Sequence, residues 1–209
     1  MNVEDLVSLV PVIPVVVVDD VAHAVPLAAA LVRGGLPAIE VTLRTPVAAA
    51  AIERIAAEVP GAVVGAGTVT NARQVAEALG AGARFLVSPG ATPTLLDALQ
   101  ASGVPFLPGT ATASDIVALL ERDITYAKLF PAEVVGGVRA LKAFAGPFPQ
   151  MRFCPTGGIS PDNAGDYLAQ PNVVCVGGSW MVRSPDWQAT EALAAEALEL
   201  RHAYAPSNG

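Results

Sequence analysis

Short apolar segments alternate with longer, alanine-rich segments along almost the whole chain. The apolar segments have the length of buried β-strands, and we predict strands at residues 11–18, 38–44, 62–68, 84–89, 104–108, 124–130, 151–156 and 173–179. Proline or a capping residue begins several of the intervening segments, which predicts helices at 20–33, 46–58, 71–81, 93–102, 112–122, 136–145, 161–169 and 186–203. The apolar run at residues 6–18 is interpreted as a first helix that continues into the first strand.

This order of elements predicts an α/β fold. Eight strand–helix units in a row favour a parallel sheet, and eight strands are the number that closes into a compact (β/α)8 TIM barrel. A doubly wound open sheet is the alternative, but it usually has fewer strands and a dinucleotide-binding loop after the first one, where this chain has PVVVVDD. We therefore expect residues 1–209 to form a single barrel domain, with a flexible tail at 203–209.

Composition and charge exclude several classes of function. The net charge is −7, and no basic run or mixture of arginines with aromatic residues is present, so nucleic acid is not an expected partner. Two prolines and the pair Asp19-Asp20 interrupt the only long apolar run, which argues against a membrane span. Two cysteines, Cys154 and Cys175, form neither a disulfide framework nor a metal cluster, so we expect reduced thiols in a cytoplasmic protein.

The chain is also unusually apolar for its length. Charged residues make up 15% of it and the mean hydropathy is +0.51. Such a composition is expected if a partner subunit covers part of the surface, or if the core is simply rich in alanine and valine.

Polar residues at the carboxyl ends of the predicted strands are the candidates for chemistry, because those ends carry the active site of a barrel. Side chains alternate along a strand, so Glu40, Thr42 and Arg44 share one face, which is the interior if the other face meets the helices. By the same alternation, Lys128 and Phe130 share a face. A carboxylate, a guanidinium and an amine are thus predicted to meet in one enclosed space.

Lys128 is one of only two lysines in the chain, and it lies within an apolar strand. A neutral amine attacks a ketone to give a Schiff base, which lets an adjacent carbon–carbon bond break, and a carboxylate such as Glu40 moves the protons. Arg44 suits the carboxylate of a 2-keto acid, and Thr68 offers a hydroxyl. The alternative is a purely structural ion pair between Lys128 and Glu40.

Two glycine pairs at consecutive strand ends predict a second anchor for the substrate. Gly157-Gly158 lies in CPTGGIS, and Gly177-Gly178 precedes Ser179 in VGGSW. The loops after the last two strands of a barrel commonly bind phosphate, and residues 179–182 suit the short extra helical turn of such a site. The alternative is that these glycines serve tight turns only.

At these residues the chain resembles the class I 2-keto-3-deoxy-6-phosphogluconate (KDPG) aldolase and 2-keto-4-hydroxyglutarate (KHG) aldolase family. The similar stretches run in family order from about residue 10 to residue 183, and they are PVIPVVVV, HAVPLAAALVRGGLPAIEVTLRT, VGAGTVTN, FLVSPG, LPGTAT, KLFPAEVVGG, FCPTGGISPDN and VGGSW. EVTLRT, KLFPAE and CPTGGI are together highly specific. Mild departures are Leu129 and Asp115, where many relatives have Phe and Glu.

The resemblance implies a role for each candidate residue. Lys128 would form the Schiff base, and Glu40 would be the general acid and base. Arg44 and Thr68 would hold the pyruvyl carboxylate of the substrate, and Phe130 would pack against the imine. The phosphate would bind at the two glycine loops, at residues Gly157, Gly158, Gly178 and Ser179.

The implied reaction is the reversible cleavage of 2-dehydro-3-deoxy-6-phospho-D-gluconate to pyruvate and D-glyceraldehyde 3-phosphate. Thr156, within CPTGG, is similar to the gluconate-type members of the family. The family also implies a homotrimer that needs no metal and no cofactor. Alternative substrates are 4-hydroxy-2-oxoglutarate and the galactonate epimer, and a catalytically silent barrel that binds phosphorylated sugars is a remote alternative.

Overall fold

The structure, a computed structural model, describes residues 1–204. Within that range it contains nine short strands, which match the predicted strand positions closely. They are β1 Val12–Val16, β2 Ala38–Thr42, β3 Val63–Gly67, β4 Leu86–Val87, β5 Phe106–Leu107, β6 Gly109–Thr110, β7 Tyr126–Leu129, β8 Arg152–Pro155 and β9 Val176–Gly178.

Helices separate most of the strands, and each predicted helix is present to within a few residues. They are α1 Val3–Ser8, α2 Ala24–Arg33, α3 Ala48–Glu58, α4 Ala72–Gly80, α5 Pro93–Ala101, α6 Ala113–Leu120, α7 Gly137–Ala145, α8 Pro161–Leu168 and α9 Trp187–Tyr204, with a 3₁₀ turn at Val21–His23 before α2. Side chains of asparagine and threonine cap several amino termini, such as Asn71 before α4 and Thr92 before α5. The final helix reaches Tyr204, so the first two residues of the predicted tail are helical and the rest lie outside the described residues.

The strands are parallel and form two hydrogen-bonded sheets that together make a curled layer. One sheet has the order β5-β4-β3-β2-β1-β9, and the other has the order β6-β7-β8. Two isolated parallel bridges, Phe153↔Val173 and Thr156↔Gly177, connect the two sheets on the β8–β9 side. The α/β class and the parallel arrangement are therefore confirmed.

The fifth predicted strand, 104–108, ends at Pro108, and the structure adds a short unpredicted strand, β6, directly after it. Proline has no backbone N–H to donate to a neighbouring strand, so regular pairing stops there. The carbonyl oxygen of Pro108 still accepts a hydrogen bond from the Lys128 amide at 2.9 Å, which ties the break to β7. The chain then continues at once as β6.

Neighbouring helices pack against one another around the strands. Helix α2 contacts α3 and α9, helix α4 contacts α5, and helix α8 contacts both α7 and α9. The apolar faces of strands and helices meet in a core of fully buried side chains, of which the largest are Tyr167, Phe85 and Phe153. Within the described part of the chain, no helix is both long and apolar enough to cross a membrane.

Candidate active site

A cavity of about 320 Å³ lies at the carboxyl ends of the strands. Every residue predicted for the site lines it, so residues from five different strand ends meet in one space. These residues are Lys128, Glu40, Arg44, Thr68, Phe130, Thr156, Gly157, Gly158, Gly178 and Ser179. The predicted convergence at the strand ends is therefore what the structure shows.

Lys128 and Glu40 form a buried ion pair in this cavity. The Nζ atom of Lys128 donates a hydrogen bond to Oε1 of Glu40 at 3.2 Å. The two residues are only 5% and 3% exposed, respectively. An ion pair removed from water in this way is commonly no better for stability than apolar packing, so its presence beside an open cavity favours a chemical use.

The strand positions of the two residues explain how they meet. Lys128 lies on β7, where its register partners are Gly109 on β6 and Cys154 on β8. Glu40 lies on β2, between Val15 on β1 and a glycine on β3. The curl of the parallel layer brings the inward faces of β2 and β7 within hydrogen-bond distance although the strands are not neighbours.

Arg44 lies at the mouth of the cavity, and Thr42 holds it in place. The Nε atom of Arg44 donates to Oγ1 of Thr42 at 3.1 Å, and the Thr42 hydroxyl donates to the carbonyl of Val16 at 3.0 Å. Arg44 is exposed, whereas Thr42 is buried. The terminal nitrogens of the guanidinium are thus presented at the opening, where they suit a substrate carboxylate.

Thr68 and Phe130 line the cavity together with Lys128, and each has an unusual structural feature. Thr68 has a φ of 59°, a left-handed conformation that β-branched residues rarely adopt and that is concentrated at functional sites. The Nζ atom of Lys128 lies 5.2 Å from the centroid of the Phe130 ring, within the range of a cation–π interaction. The ring therefore favours a positive charge on the nitrogen, whether ammonium or iminium.

The other end of the cavity is built from the two glycine loops. Gly157 and Gly158 adopt φ values of 100° and 81°, so this turn requires residues without a Cβ. The turn leads directly into the amino terminus of α8, which carries partial positive charge. The helical turn predicted at 179–182 is only a single hydrogen-bonded turn, in which the Val182 amide donates to Ser179.

Five lining residues were not among the predicted site residues: Val15, Thr42, Pro89, Ile159 and Gly177. Thr42 had a usable signal, because it lies on the same strand face as Glu40 and Arg44. Gly177 belongs to a glycine pair already singled out. Val15, Pro89 and Ile159 have ordinary side chains, and only the tertiary structure places them at the cavity.

The two cysteine thiols are buried together on β8 and just before β9. The hydrogen bond to Cys154, followed by burial and by the nearby Glu40 charge, raises the pKa of Cys175 well above its usual value. Cys175 is therefore a neutral thiol at physiological pH, as expected of a small core residue. Within residues 1–200, whose side chains the structure describes, no group of three or more His, Cys, Asp or Glu residues is arranged to hold a metal ion.

Known proteins similar to this chain match it over nearly its full length. The sequence profile of the family described as "KDPG and KHG aldolase" matches residues 3–195. A 2-dehydro-3-deoxy-phosphogluconate aldolase of Pseudoalteromonas atlantica is 51% identical over 200 residues, which are 93% of each chain.

Two solved structures extend the match to three dimensions. The 2-keto-3-deoxy-6-phosphogluconate aldolase of Zymomonas mobilis ZM4, crystallised with 3-phosphoglycerate, superposes with a TM-score of 0.92 at 49% identity and covers 95% of this chain and 96% of its own. The KDPG aldolase of Legionella pneumophila, with pyruvate captured as a covalent carbinolamine intermediate, has a TM-score of 0.87 at 44% identity, with 98% of both chains covered. On its motifs, its sequence profile and its structure, the chain belongs to the KDPG and KHG aldolase family.

Proposed function

We propose that this chain is a class I aldolase that reversibly cleaves 2-dehydro-3-deoxy-6-phospho-D-gluconate to pyruvate and D-glyceraldehyde 3-phosphate. The observation that carries the proposal is the 3.2 Å contact between the buried amine of Lys128 and the carboxylate of Glu40 inside an open cavity. The name of the Pseudoalteromonas relative supports the same reaction.

The first step joins the substrate to the enzyme. Lys128 gives up a proton to Glu40 and its free amine attacks the C2 ketone, which forms a carbinolamine. Glu40 returns the proton to the carbinolamine hydroxyl, water leaves, and a protonated imine remains. Arg44 and Thr68 hold the substrate carboxylate during this step, and the face of Phe130 stabilises the iminium charge.

The second step breaks the carbon–carbon bond. Glu40, acting through a water molecule, takes the proton of the C4 hydroxyl, and the C3–C4 bond breaks with its electron pair moving into the imine. This releases D-glyceraldehyde 3-phosphate and leaves an enamine on Lys128. A proton then returns to C3, and water hydrolyses the imine to free pyruvate and the lysine amine.

The glycine loops hold the phosphate of the substrate. The cavity-lining residues Gly157, Gly158, Gly178 and Ser179 supply backbone N–H groups and a hydroxyl at one end of the cavity, and the positive end of α8 follows directly. These groups favour phosphorylated substrates over 4-hydroxy-2-oxoglutarate. Thr156 beside them is the feature that favours the gluconate over the galactonate epimer.

The architecture we propose around this site is one closed (β/α)8 barrel. Two gaps separate the sheets, and both are narrow. At the first gap, only Pro108 separates β5 from β6. At the second gap, the isolated bridges Phe153↔Val173 and Thr156↔Gly177 join the β8 segment to the β9 segment. We further propose that the chain forms a single domain, works as a homotrimer and acts in the cytoplasm, because a charged phosphate ester does not cross a lipid bilayer. Independence from metals and cofactors stays a prediction.

Borohydride trapping tests the proposal directly. Reduction in the presence of pyruvate is expected to give one covalent adduct, located on Lys128 by peptide mass spectrometry, and Lys128→Ala is expected to abolish it. Lys142→Ala is the matched control, because the only other lysine is exposed in the last turn of α7. An adduct on Lys142, or no adduct at all, would contradict the proposed chemistry.

A further inference from the structure

The turn at Gly157-Gly158 is connected on its outer side to two other elements. The Ala132 amide donates to the carbonyl of Thr156 at 2.8 Å, and the Glu133 amide donates to the carbonyl of Gly157 at 3.1 Å. The segment after β7, which follows the reactive lysine, is therefore hydrogen-bonded to the turn that follows β8.

The side chain of Glu133 lies directly across Gly158. A Cβ atom added to Gly158 would overlap Cγ of Glu133 and would lie 2.8 Å from its Cβ. Beyond the glycine, the Glu133 carboxylate accepts a hydrogen bond from the Tyr167 hydroxyl. The Glu133 side chain thus packs against the turn, and its carboxylate is hydrogen-bonded to Tyr167 on α8.

Tyr167, which donates this hydrogen bond, is buried. It is 1% exposed, and a Cβ atom on Gly137 would lie only 2.8 Å from its hydroxyl, so the backbone encloses it closely. Burial, and then the hydrogen bond and charge of Glu133, raise the pKa of the Tyr167 hydroxyl. The hydroxyl therefore stays protonated and able to donate throughout the neutral pH range.

Asn163 holds the same turn from a third direction. Its Nδ2 atom donates to the carbonyl of Gly158 at 2.9 Å, while its Oδ1 atom accepts from the Ser160 amide at 2.9 Å. The side chain thus connects the turn to the first turn of α8. Glu133, Tyr167 and Asn163 do not belong to the described residues that line the cavity.

We propose that Glu133, Tyr167 and Asn163 form a loop-positioning cluster that sets the Gly157-Gly158 turn in the geometry that binds the substrate phosphate. This inference rests on the proposed function and adds positioning residues that do not touch the substrate. Because backbone N–H groups bind a phosphate only when they converge on it, small shifts of the turn weaken binding at that end alone. The lysine end of the cavity does not depend on the cluster.

The test compares a phosphate-dependent readout with a phosphate-free one. The first is the KM for 2-dehydro-3-deoxy-6-phospho-D-gluconate together with competitive inhibition by inorganic phosphate. The second is the rate at which pyruvate, which has no phosphate, is trapped by borohydride. For Tyr167→Phe and Glu133→Ala we expect KM and the phosphate inhibition constant to rise about three- to tenfold, as for the loss of one hydrogen bond, with pyruvate trapping unchanged.

Two further variants test whether Glu133 acts by its position or by its charge, and whether the effects are specific to the cluster. Glu133→Gln keeps the length of the side chain and an oxygen that accepts from Tyr167, so it is expected to match the parent enzyme. If Glu133 acted only through its charge, Glu133→Gln and Glu133→Ala would behave alike, which would overturn the proposal. Tyr126→Phe is the matched control, since Tyr126 begins β7 away from the cavity and is expected to have no effect.

The outcomes distinguish this inference from the proposed function. Equal losses in both readouts, or no change in either for Tyr167→Phe and Glu133→Ala, would overturn the loop-positioning cluster while leaving the aldolase intact. A parent enzyme that neither traps pyruvate nor cleaves the phosphorylated acid would instead refute the proposed function. Asn163→Ala is expected to behave like Tyr167→Phe. It removes the hydrogen bond to the Gly158 carbonyl, whereas Tyr167→Phe removes the hydrogen bond to Glu133.

Discussion

Glu40 occupies its place in the cavity because the neighbouring strand has no side chain there. A Cβ atom added to Gly67 would overlap Oε1 of Glu40 and would lie 2.5 Å from its Cγ. Gly67 ends β3, which pairs with β2 in register. Gly67, the second glycine of the VGAGT stretch, is therefore required by the position of the Glu40 carboxylate rather than by a dinucleotide or a turn.

This contact predicts the effect of two substitutions on turnover. Glu40→Gln removes the proton acceptor, and Gly67→Ala displaces it, so both are expected to lower kcat by about 100-fold or more. Gly67→Ala should still form the pyruvate adduct on Lys128, because the amine remains in the cavity, but more slowly, because the displaced Glu40 no longer moves protons efficiently during imine formation. Steady-state kinetics with borohydride trapping check both points.

Gly80→Ala is the control for these variants. A Cβ atom at Gly80, at the end of α4, would meet nothing within 4 Å, so its kinetics should equal those of the parent. A Gly67→Ala enzyme with normal kcat would show that the carboxylate position does not matter for turnover.

At the scale of the elements, helix boundaries follow from capping residues that can be recognised in the sequence. Helix α6 begins with a capping box, in which the Asp115 amide donates to Oγ1 of Thr112 while the Asp115 carboxylate accepts from the Thr112 amide. The replacement of the family's common Glu by Asp at this position thus retains the cap. The break between β5 and β6 at Pro108 follows equally from the missing N–H of proline.

Thr112→Ala is expected to lower the free energy of unfolding by about 1 kcal/mol, the usual cost of losing an N-cap side chain. The value of kcat should not change, because neither Thr112 nor Asp115 lines the cavity. Urea denaturation measures the loss, and Ser114→Ala, an exposed change in the same turn, is the control. If Thr112→Ala and Ser114→Ala unfold at the same urea concentration as the parent, the cap contributes nothing.

At the scale of the whole molecule, a few large apolar residues lie on the surface. Val17, Val117 and Val134 are large apolar residues with exposed side chains, and Val134 is 83% exposed in the segment after β7. Isolated apolar residues are normal on a surface, so these alone do not define an interface. The low charge content of the chain is consistent with the predicted trimer without locating its contacts.

The assembly prediction is tested by size-exclusion chromatography with light scattering. We expect a mass three times that of the 21.2 kDa chain, independent of loading concentration over the micromolar range. Monomer mass at all concentrations would refute the homotrimer. The active site itself is expected to be complete within one chain, because every proposed catalytic residue lines the same cavity.

The sequence by itself determined the order of the elements and the side of each strand on which the chemistry lies. Alternation along the predicted strand 38–44 placed Glu40, Thr42 and Arg44 on one face, and the same rule placed Lys128 and Phe130 together on the predicted strand 124–130. These properties are local, since they depend only on spacing within a strand or at a helix end. The family motifs added the roles of the residues.

Only the tertiary structure decided which side chains meet. Lys128 and Glu40 are 88 positions apart, and their 3.2 Å contact depends on how the parallel layer curls. The loop-positioning cluster likewise joins segments after β7 and β8 through a helix face, and no spacing rule relates Glu133 to Tyr167. Contacts between distant segments are set by strand register, curvature and packing of the whole fold, which local patterns do not encode.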